Sequence, residues 1–412
     1  MGFETGLSGL DANSRYLDAI GNNVSNSNVA GFKQSQLVFA DIYANALEGG
    51  GSNQVGLGTQ VTAIQQQFAQ GGISATSNPL DLAINGNGFF KLSRLDGSTS
   101  FSRNGQFSVS KDGYIQNAQG DKLQGYTADS AGILATAATV PLYVSSESLG
   151  ARATQTMGLE ANLDASTTAP TVGVFDKTNT NSYNNVTSMN AYDSLGNSHT
   201  VSMYFIKDAA VTNGWNVQYI VDDGTNTIAP ATSALQFSSS GTLATPASKT
   251  VSLDLTLPIA TPAVTQTVSL DLSGLTQFGG QEFGVSSKTQ DGYTAGRLTG
   301  FSADDDGIIK GSYSNGKTFT LGQVVLSTFR NPGGLSPIGS NQWVESNASG
   351  EATASAPGTG VAGLLQSSAL EGSNVDLTQE LVNMIVAQRA YQANAQTIKT
   401  QDQILSTLVN LR

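Results

Sequence analysis

The sequence contains no cysteine and only one histidine, His199, among its 412 residues. Without cysteine the chain can form no disulfide and no thiolate metal site, and it has no cysteine nucleophile. A single histidine also excludes a metal site built from several imidazoles. We therefore expect neither a metal nor a cofactor.

Charged residues are scarce as well, at 12% of the chain against a usual value of about 25%. The 19 Lys and Arg are outnumbered by 31 Asp and Glu, which gives a net charge of −12 and leaves no basic stripe to neutralise phosphates. No apolar run approaches the roughly 18 residues that cross a bilayer, and Glu4 stands where a secretory signal carries Lys or Arg. We expect no nucleic-acid partner, no membrane insertion and no use of the ordinary secretory route.

The residues that are present indicate a folded, mainly β protein. Apolar residues make up 39% of the chain, and 46 glycines together with many Ser, Thr, Asn and Gln residues make up much of the rest. This is not the highly charged, apolar-poor composition of disordered chains. The length of 412 residues allows about two to four domains with a neutral polar surface.

Both ends of the chain carry a seven-residue apolar repeat typical of helices that pack along their length. The amino-terminal seam consists of Phe3, Leu10, Leu17 and Val24, with Leu7 and Ile20 on nearly the same face. The carboxy-terminal seam consists of Leu377, Met384, Tyr391, Ile398 and Leu405, supported by Leu381, Ala387 and Leu408. One helix cannot bury such a seam alone, so we predict that the two terminal helices pack on each other in a coiled-coil-like pair. The alternative is that each lies as an amphipathic helix on its own domain, but a constant spacing of seven favours a long helical partner.

The sequence also indicates where the last helix begins and where linkers join the helices to the middle of the chain. Ser373, Asn374 or Asp376 can cap the start of the last helix. Gly49–Gly51 and Gly56–Gly58 on one side, and the stretch Ser346–Gly360 on the other, are interpreted as linkers between the helices and the middle of the chain.

The middle of the chain carries strand and turn patterns. Apolar residues alternate at positions 80, 82 and 84 and again at 90 and 92, on either side of Asn85–Gly88, which predicts a hairpin. A similar series of Phe-Ser, Asp-Gly and turn residues occurs near Phe101 and again near Phe301, flanking a middle block. We interpret the two series as halves of one β domain into which a second β domain is inserted.

These patterns give a nested arrangement of four regions. Residues 1–30 and 370–412 are predicted to form a terminal helical domain, and residues 31–72 and 359–369 are predicted to form a connecting region. Residues 73–145 and 290–358 are predicted to form a discontinuous β domain, and residues 146–289 are predicted to form an outer β domain inserted into it.

One motif has the letters of a phosphate-binding loop. Gly311–Thr318 satisfies the P-loop expression, which needs a strand before it and a helix after it so that backbone N–H groups point at phosphates. Here the continuation alternates as a strand, and Asn315-Gly316 is a preferred hairpin turn. We predict a hairpin and no nucleotide site.

Two further candidates for chemistry have simpler structural interpretations. Asp304–Gly307 resembles a calcium loop, but the twelve-residue register ends at Tyr313 and lacks the bidentate Glu, so an acidic turn is favoured. His199 would be the base of any Ser-His-Asp triad, but it is in phase with apolar strand residues, so a structural role is favoured. No set of residues for catalysis remains, and we expect that the chain is not an enzyme.

Both ends resemble one protein family. The stretch Leu17–Lys33 looks like the amino-terminal signature of the bacterial flagellar axial family of rod, hook and hook-associated proteins. The stretch from Asn374 to Leu408 is similar to the terminal helix of that family. The segment Tyr192–His199 and the large middle block make the chain resemble the hook branch, because distal rod proteins are shorter and lack the insertion.

The resemblance implies a function, partners and a location. Hook subunits pass unfolded through the flagellar type III export apparatus and polymerise under a hook cap into a curved tube. This tube is a universal joint between the rod and the filament and forms part of the basal body–hook structure outside the cell. The implied partners are further copies of the chain, the rod proteins, the hook cap, the hook–filament junction protein and the export gate. The seam residues would then form the inner tube.

Phe39 and Tyr43 resemble the hydrophobic element that the export gate recognises in early flagellar substrates; ordinary packing is the alternative. Other rod or hook-associated axial proteins remain an alternative identity for the chain. A surface adhesin would share the polar β middle, but it would ordinarily carry a signal peptide and would not need matched terminal helices.

Overall fold

The computed structural model describes residues 2–42, 56–129, 132–144, 148–221, 226–256 and 265–410. The fold is mainly β with one α-helix at each end, which confirms the predicted class. Helix α1 spans Gly2–Ser25 and helix α2 spans Leu377–Asn410. Short 3-10 turns occur at Thr180–Ser182 and Pro332–Gly334.

The strands fall into three successive groups along the chain. The first group comprises β1 (Ser35–Ile42), β2 (Gly58–Gln66), β3 (Ile73–Ala75), β4 (Leu82–Asn85), β5 (Phe89–Ser93), β6 (Thr99–Ser102), β7 (Ser108–Val109), β8 (Ile115–Gln116), β9 (Lys122–Thr127) and β10 (Val140–Pro141). The second comprises β11 (Thr156–Asp164), β12 (Asn185–Tyr192), β13 (Ser198–Lys207), β14 (Gly214–Val221), β15 (Asn226–Phe237), β16 (Leu243–Thr245), β17 (Thr250–Thr256), β18 (Thr265–Asp271), β19 (Leu275–Phe278) and β20 (Gly284–Gln290). The third comprises β21 (Leu298–Ala303), β22 (Ile308–Tyr313), β23 (Thr318–Val324), β24 (Leu326–Thr328), β25 (Ser336–Gly339), β26 (Gln342–Val344), β27 (Thr353–Ser355), β28 (Leu364–Ser367) and β29 (Ala369–Glu371).

The chain divides into two compact units. Unit 1 consists of Met1–Ser146, Gly300–Ser312 and Thr318–Arg412, and unit 2 of Glu147–Thr299 and Tyr313–Lys317. Unit 1 therefore contains both helices and the strands of the first group and most of the third.

The main sheet of unit 1 is assembled from both halves of the chain. Strand β9 pairs with β23, β5 pairs with β24, and β6 pairs with β26, all antiparallel. An aromatic core lies against this sheet, made of Phe89, Phe101, Leu335 and Trp343 with Phe68 and Phe329 packed on it. Ring pairs within this core meet edge to face, with Phe101 and Phe329 centroids 4.8 Å apart.

The predicted hairpin around Asn85–Gly88 is wrong, although both flanking segments are strands. Strand β4 pairs with β28, and β5 pairs with β6, β9 and β24, so the two segments belong to different sheets. The turn residues Gly86 and Gly88 have φ values of 111° and 131°, and the chain at Gly363 lies against Gly86. A Cβ added at Gly86 would come 3.1 Å from the Gly363 Cα, so this close backbone approach replaces the hairpin.

Unit 2 is a ten-stranded sheet system with its own core. The path runs β12-β13-β14-β15-β17-β18-β11-β19, and most neighbours are antiparallel, while β11 is parallel to β18 and β19. Alternate residues of β13 and β14 point inward, because a strand with one buried face shows a period of two. Trp215 and Tyr219 are the largest fully buried side chains of this core.

The connecting stretches of unit 1 are ordered where they are described. Strand β1 pairs with β2 as a two-stranded ribbon, β3 pairs with β29, and β4 with β28. The linker interpretation of Ser346–Gly360 is wrong, because this stretch contains β27, which pairs with β24, and the fully buried Ser349. Gly49–Gly51 lies outside the described residues, and the linker interpretation of Gly56–Gly58 is wrong at Gly58, which begins strand β2 and pairs with Ile42.

Candidate assembly surface

The two terminal helices contact each other, as predicted, and they run antiparallel. A Cβ added at Gly6 would lie 3.0 Å from Ile398 Cγ1, and one added at Gly9 would lie 2.8 Å from Asn394 Nδ2. Residues later in α1 therefore lie against residues earlier in α2, as expected of two antiparallel helices. Glycine at these two positions lets the helix backbones approach closely, because any larger side chain would hold them apart.

The seam residues predicted from the heptad spacing are only partly buried in the subunit. Ile20 is fully buried. The half-buried members are Leu10, Leu17, Val24, Met384 and Ile398. The exposed members are Phe3, Leu7, Leu377, Leu381, Tyr391 and Leu405. The side chain of Leu408 lies outside the described part of the chain.

Besides Ile20, α1 buries small residues that the heptad spacing did not select. Gly6, Gly9 and Ala12 are buried three residues apart. This spacing places them on one face of a helix. On α2, Ala387 is buried, and the sequence had placed it beside the seam. The spacing of glycine and alanine could have revealed the face, but a search for large apolar residues passes over it.

An exposed apolar row remains on α2 when the pair has formed. Leu377, Leu381, Val382, Ile385 and Val386 are each 44–59% exposed. Contiguous apolar surface of this kind on a chain rich in neutral polar residues marks an interaction surface. Within the described helices and strands the row has no covering element, so the isolated subunit presents it outward.

The start of α2 is fixed by caps and by the segment that follows α1. The Asp376 carboxylate accepts hydrogen bonds from the backbone N–H of Thr378 (2.9 Å) and Gln379 (3.1 Å), which confirms Asp376 as the cap among the three candidates. The Asn374 side chain instead accepts from the Gln34 backbone N–H at 2.7 Å. Gln34 Nε2 donates to Glu380 Oε1 at 2.6 Å, so the segment between α1 and β1 is held against the start of α2.

Phe39 lies in the ribbon next to α1. Its ring centroid is 5.9 Å from that of Tyr16 in an edge-to-face contact, and its side chain is 42% exposed. Val38 and Ile64 on the same ribbon are also exposed. Tyr43, the second residue of the predicted export element, lies outside the described residues.

A buried cluster of three charges joins distant parts of unit 1. Glu371 Oε1 accepts from Lys33 Nζ at 2.7 Å and from the Gly71 backbone N–H at 2.8 Å, and Oε2 accepts from Arg103 Nη1 at 3.0 Å. Lys33 Nζ also donates to the Ala69 carbonyl at 2.8 Å. The Lys33 and Glu371 side chains are completely buried, and that of Arg103 is 4% exposed. We call Lys33, Arg103 and Glu371 the charge cluster.

The charge cluster carries one more positive charge than negative. Burial lowers the pKa of Lys33, although the Glu371 carboxylate acts in the opposite direction and the Arg103 charge adds to the lowering. Burial likewise lowers the pKa of Arg103, and Glu371 again opposes it. Two buried cations, Lys33 and Arg103, therefore depend on the single carboxylate of Glu371. No motif in the sequence indicated the charge cluster, because its residues are up to 338 positions apart.

The motifs that resembled ligand sites form turns. Gly311–Thr318 covers the end of β22, a turn with Gly316 at φ 75° and the start of β23, so the hairpin prediction is confirmed. Asp304–Gly307 is the turn between β21 and β22, where Asp304 forms an ion pair with Lys310. Within the described residues there is no group of His, Asp and Glu that could hold a metal ion, and no helix is long and apolar enough to cross a membrane.

His199 occupies the predicted position on the apolar side of a strand, in β13 of unit 2. Its Nε2 lies 3.3 Å from Asp193 Oδ2. Burial tends to raise the pKa of Asp193, but hydrogen bonds from Asn197, His199 and Leu195 outweigh it and hold that pKa below its ordinary value. The arrangement closes the turn before β13, and it supplies a structural role for the histidine.

Several stretches of the chain match models of flagellar protein families. Residues 3–33 match the model for flagella basal body rod proteins and residues 366–411 the model for the flagellar basal body rod FlgEFG protein C-terminal region. Residues 83–155 match the flagellar hook protein FlgE/F/G D1 domain, and residues 162–293 the flagellar basal body protein FlaE D2 domain.

Full-length relatives agree with these matches. The chain is 42% identical over 414 residues to the flagellar hook protein FlgE of Escherichia coli strain K12, with all of both chains covered. It is 39% identical over 416 residues to FlgE of Salmonella typhimurium, again with full coverage. The crystal structure of Helicobacter pylori flagellar hook protein FlgE2 shares the fold, with a TM-score of 0.52 at 13% identity over 68% of this chain and 95% of that one.

Proposed function

The chain belongs to the flagellar hook protein family, and we propose that it builds the hook tube through the outward faces of its two terminal helices. As a member of this family it is a structural subunit of the bacterial flagellar hook, in the basal body–hook structure. The observation that carries the proposal is the exposed apolar row on α2, which runs from Leu377 to Val386. In a polymer a neighbouring copy would cover this row and so remove its apolar surface from water.

The proposed inner-tube contacts are the seam residues. Those already half-buried, such as Met384 and Ile398, would brace the α1–α2 pair, whereas the exposed ones, such as Leu7 and Leu381, would reach the next subunit. A strict repeat of seven is expected where helices pack against several long partners. The exposed heptad residues would then serve contacts between subunits, whereas the small residues of α1 serve the contact between the two helices of one subunit.

We further propose that the helical region forms the inner tube and the β regions its outer layers. Residues 73–145 with 290–358 would form the middle layer and residues 146–289, inserted into it, the outer one. A joint that bends as it rotates requires neighbouring subunits to change their spacing on every turn. Neutral polar side chains suit such contacts, because Ser, Thr, Asn and Gln can exchange hydrogen bonds with one another and with water.

The proposed role is structural and not catalytic. The partners we propose, beyond further copies of the chain, are the rod proteins, the hook cap, the hook–filament junction protein and the export gate. Export in an unfolded state through the flagellar type III pathway fits a chain that has no cysteine to oxidise.

The polymer proposal is tested by placing a charge on the exposed row. Leu381→Asp should abolish tube formation while leaving the β units folded, since Leu381 is exposed in the subunit and a buried carboxylate at a subunit contact is costly. Ile398→Asp should have the same effect and should also disturb the contact with Gly6. Tubes are counted by electron microscopy, and folding is followed by circular dichroism.

The matched control is Gln379→Asp, which adds the same charge to an exposed polar position of the same helix outside the apolar row. It should form tubes at wild-type protein concentration. Normal tubes from Leu381→Asp would refute the assignment of this row to subunit contacts.

The export proposal concerns Phe39. Phe39→Ala should reduce the amount of the chain secreted by flagellated cells several-fold, because the exposed ring is the aromatic part of the proposed gate-recognition element. Val38→Ala, a similar truncation at the neighbouring exposed position, is the control. Secretion of the Phe39 variant at the wild-type level, measured by immunoblot of the culture medium, would assign Phe39 to packing against Tyr16 alone.

A further inference from the structure

A pocket beside the charge cluster has a positive lining in an otherwise acidic chain. Its volume is about 530 Å³, and its described lining contains Arg103 and Arg330 but no Asp or Glu. The chain as a whole has 31 acidic and 19 basic residues. A concave site with two arginines and no carboxylate is therefore unusual for this surface, and its chemistry favours an anionic occupant.

The arginine at the base of the pocket has unused hydrogen-bonding capacity. Arg103 is 3% exposed, its Nη1 donates to Glu371 and its Nη2 donates to the Gly86 carbonyl at 2.7 Å. Its buried Nε has no acceptor among the described residues. A buried donor without an acceptor is unfavourable, so an incoming oxygen atom that accepts from Nε would be stabilised there.

The balance of charge around the pocket also favours an anionic occupant. Glu371 must serve both Lys33 and Arg103, which leaves one positive charge in excess within the charge cluster. Arg330 at the rim is exposed and takes part in none of the ion pairs formed by the described residues. A carboxylate entering the pocket would be attracted both by the excess positive charge of the buried charge cluster and by Arg330 at the rim.

The walls of the pocket are apolar and would strengthen that attraction. Phe68, Phe89 and Phe329 line it, and the Arg103 guanidinium lies 5.4 Å from the centre of the Phe89 ring. Val361 at the rim is 71% exposed and would be covered by an occupant. Aromatic walls exclude water, and ion pairs are stronger where water is excluded.

We propose that this pocket binds an acidic side chain of a second copy of the chain in the polymer. The inference rests on the proposed function, since a hook subunit is surrounded by copies of itself. Charge complementarity identifies the occupant, because the chain carries 31 carboxylate side chains against 19 basic ones and a neighbouring copy can therefore supply an acidic group. The contact would add a specific ion pair to an assembly whose other surfaces are mainly neutral.

The direct test uses zero-length carbodiimide coupling in assembled tubes. Tubes are formed from a mixture of unlabelled and ¹⁵N-labelled Arg330→Lys chains, so that links between copies can be told from links within one chain by mass spectrometry. The amine of the introduced lysine should form an amide with an Asp or Glu of a differently labelled chain, and only in tubes. Coupling to no acid, or only to acids of its own chain, overturns the proposal.

Charge reversal supplies a second measurement. Arg330→Glu should raise the protein concentration needed for tube formation roughly tenfold or more. Lys111→Glu makes the same change of charge at another exposed residue of unit 1 and should leave that concentration nearly unchanged. Equal effects of the two substitutions would overturn the proposal, because they would reflect net charge and not the pocket.

The outcomes separate the two proposals. If the wild-type chain forms no tubes under any polymerising condition, the proposed function fails and this inference fails with it. If wild-type and Arg330→Glu chains form tubes equally well and no link between copies is found, only the pocket proposal fails.

Discussion

Glu371 is the residue on which the interior of unit 1 depends most directly. Its two carboxylate oxygens accept from Lys33, Arg103 and the Gly71 backbone. Glu371→Gln would leave two buried cations without a carboxylate, and removing one partner of a buried ion pair typically lowers the free energy of unfolding by about 3–5 kcal/mol. Urea unfolding followed through Trp343, which lies in unit 1, measures this loss.

Lys33→Met is the informative comparison for that prediction. It keeps the Glu371–Arg103 pair and removes the excess positive charge, so we expect a smaller loss of stability than for Glu371→Gln. Both variants should be measured in a chain in which Trp215→Phe leaves Trp343 as the single fluorescent reporter. An equal or larger loss for Lys33→Met would contradict the central role of the carboxylate.

Tyr219 gives unit 2 a dependence on alkaline pH. Burial raises the pKa of Tyr219 to about 12, whereas an unfolded tyrosine ionises near 10. Between these values the unfolded chain has lost a proton that the folded chain keeps, so the free energy of unfolding falls as pH rises, by on the order of 1 kcal/mol per pH unit. Urea unfolding between about pH 9 and 12, followed through Trp215, should show this slope in the wild type and a clearly smaller one in Tyr219→Phe, where Tyr204, whose pKa burial also raises, remains. A slope of the same size in the variant would assign the effect to other groups.

The helix pair shows that a local sequence pattern can predict a helix without predicting which of its faces will be buried. Spacing predicted both helices and their contact with each other, and Asp376 was one of three predicted caps, because helix periodicity and capping are local properties. The same spacing did not identify which face is buried within the subunit, since Leu381 and Ile20 are equally apolar in sequence and differ only in what lies beside them. The failed hairpin at Asn85–Gly88 has the same cause: its first strand pairs with residues near Gln366, far away in the chain.

Replacement of the glycines on α1 tests the close approach of the helices. Gly9→Leu should destabilise the α1–α2 pair by about 1–3 kcal/mol, because an added Cβ already lies within 2.8 Å of Asn394 Nδ2. Gly21→Ala is the control on the same helix: nothing lies within 4 Å of its added Cβ, so helix propensity alone should stabilise the pair by up to about 1 kcal/mol. Thermal unfolding of the helical circular dichroism signal distinguishes the two. Equal stabilisation by both substitutions would show that the helices do not pack through this face.

At the scale of the whole molecule, the signatures at the two ends predicted more than composition did. The stretches Leu17–Lys33 and Asn374–Leu408 indicated the family that the relatives show, whereas the motif with the letters of a phosphate-binding loop, Gly311–Thr318, proved to be a hairpin. The charge cluster and the pocket beside it could not be predicted, since Lys33, Arg103 and Glu371 meet only after the sheet of unit 1 has joined both halves of the chain. No local pattern encodes a contact of that kind.

The separation of Lys33 from Glu371 also sets an order in time. Contacts between distant residues form late because a long loop must close before they are made. The strands of unit 2 come from one nearly continuous stretch, whereas the sheet of unit 1, its charge cluster and the α1–α2 pair all require residues beyond position 320. We therefore expect unit 2 to fold faster than unit 1 when the whole chain folds from the unfolded state, and the α1–α2 pair to close late because it joins the two ends of the chain.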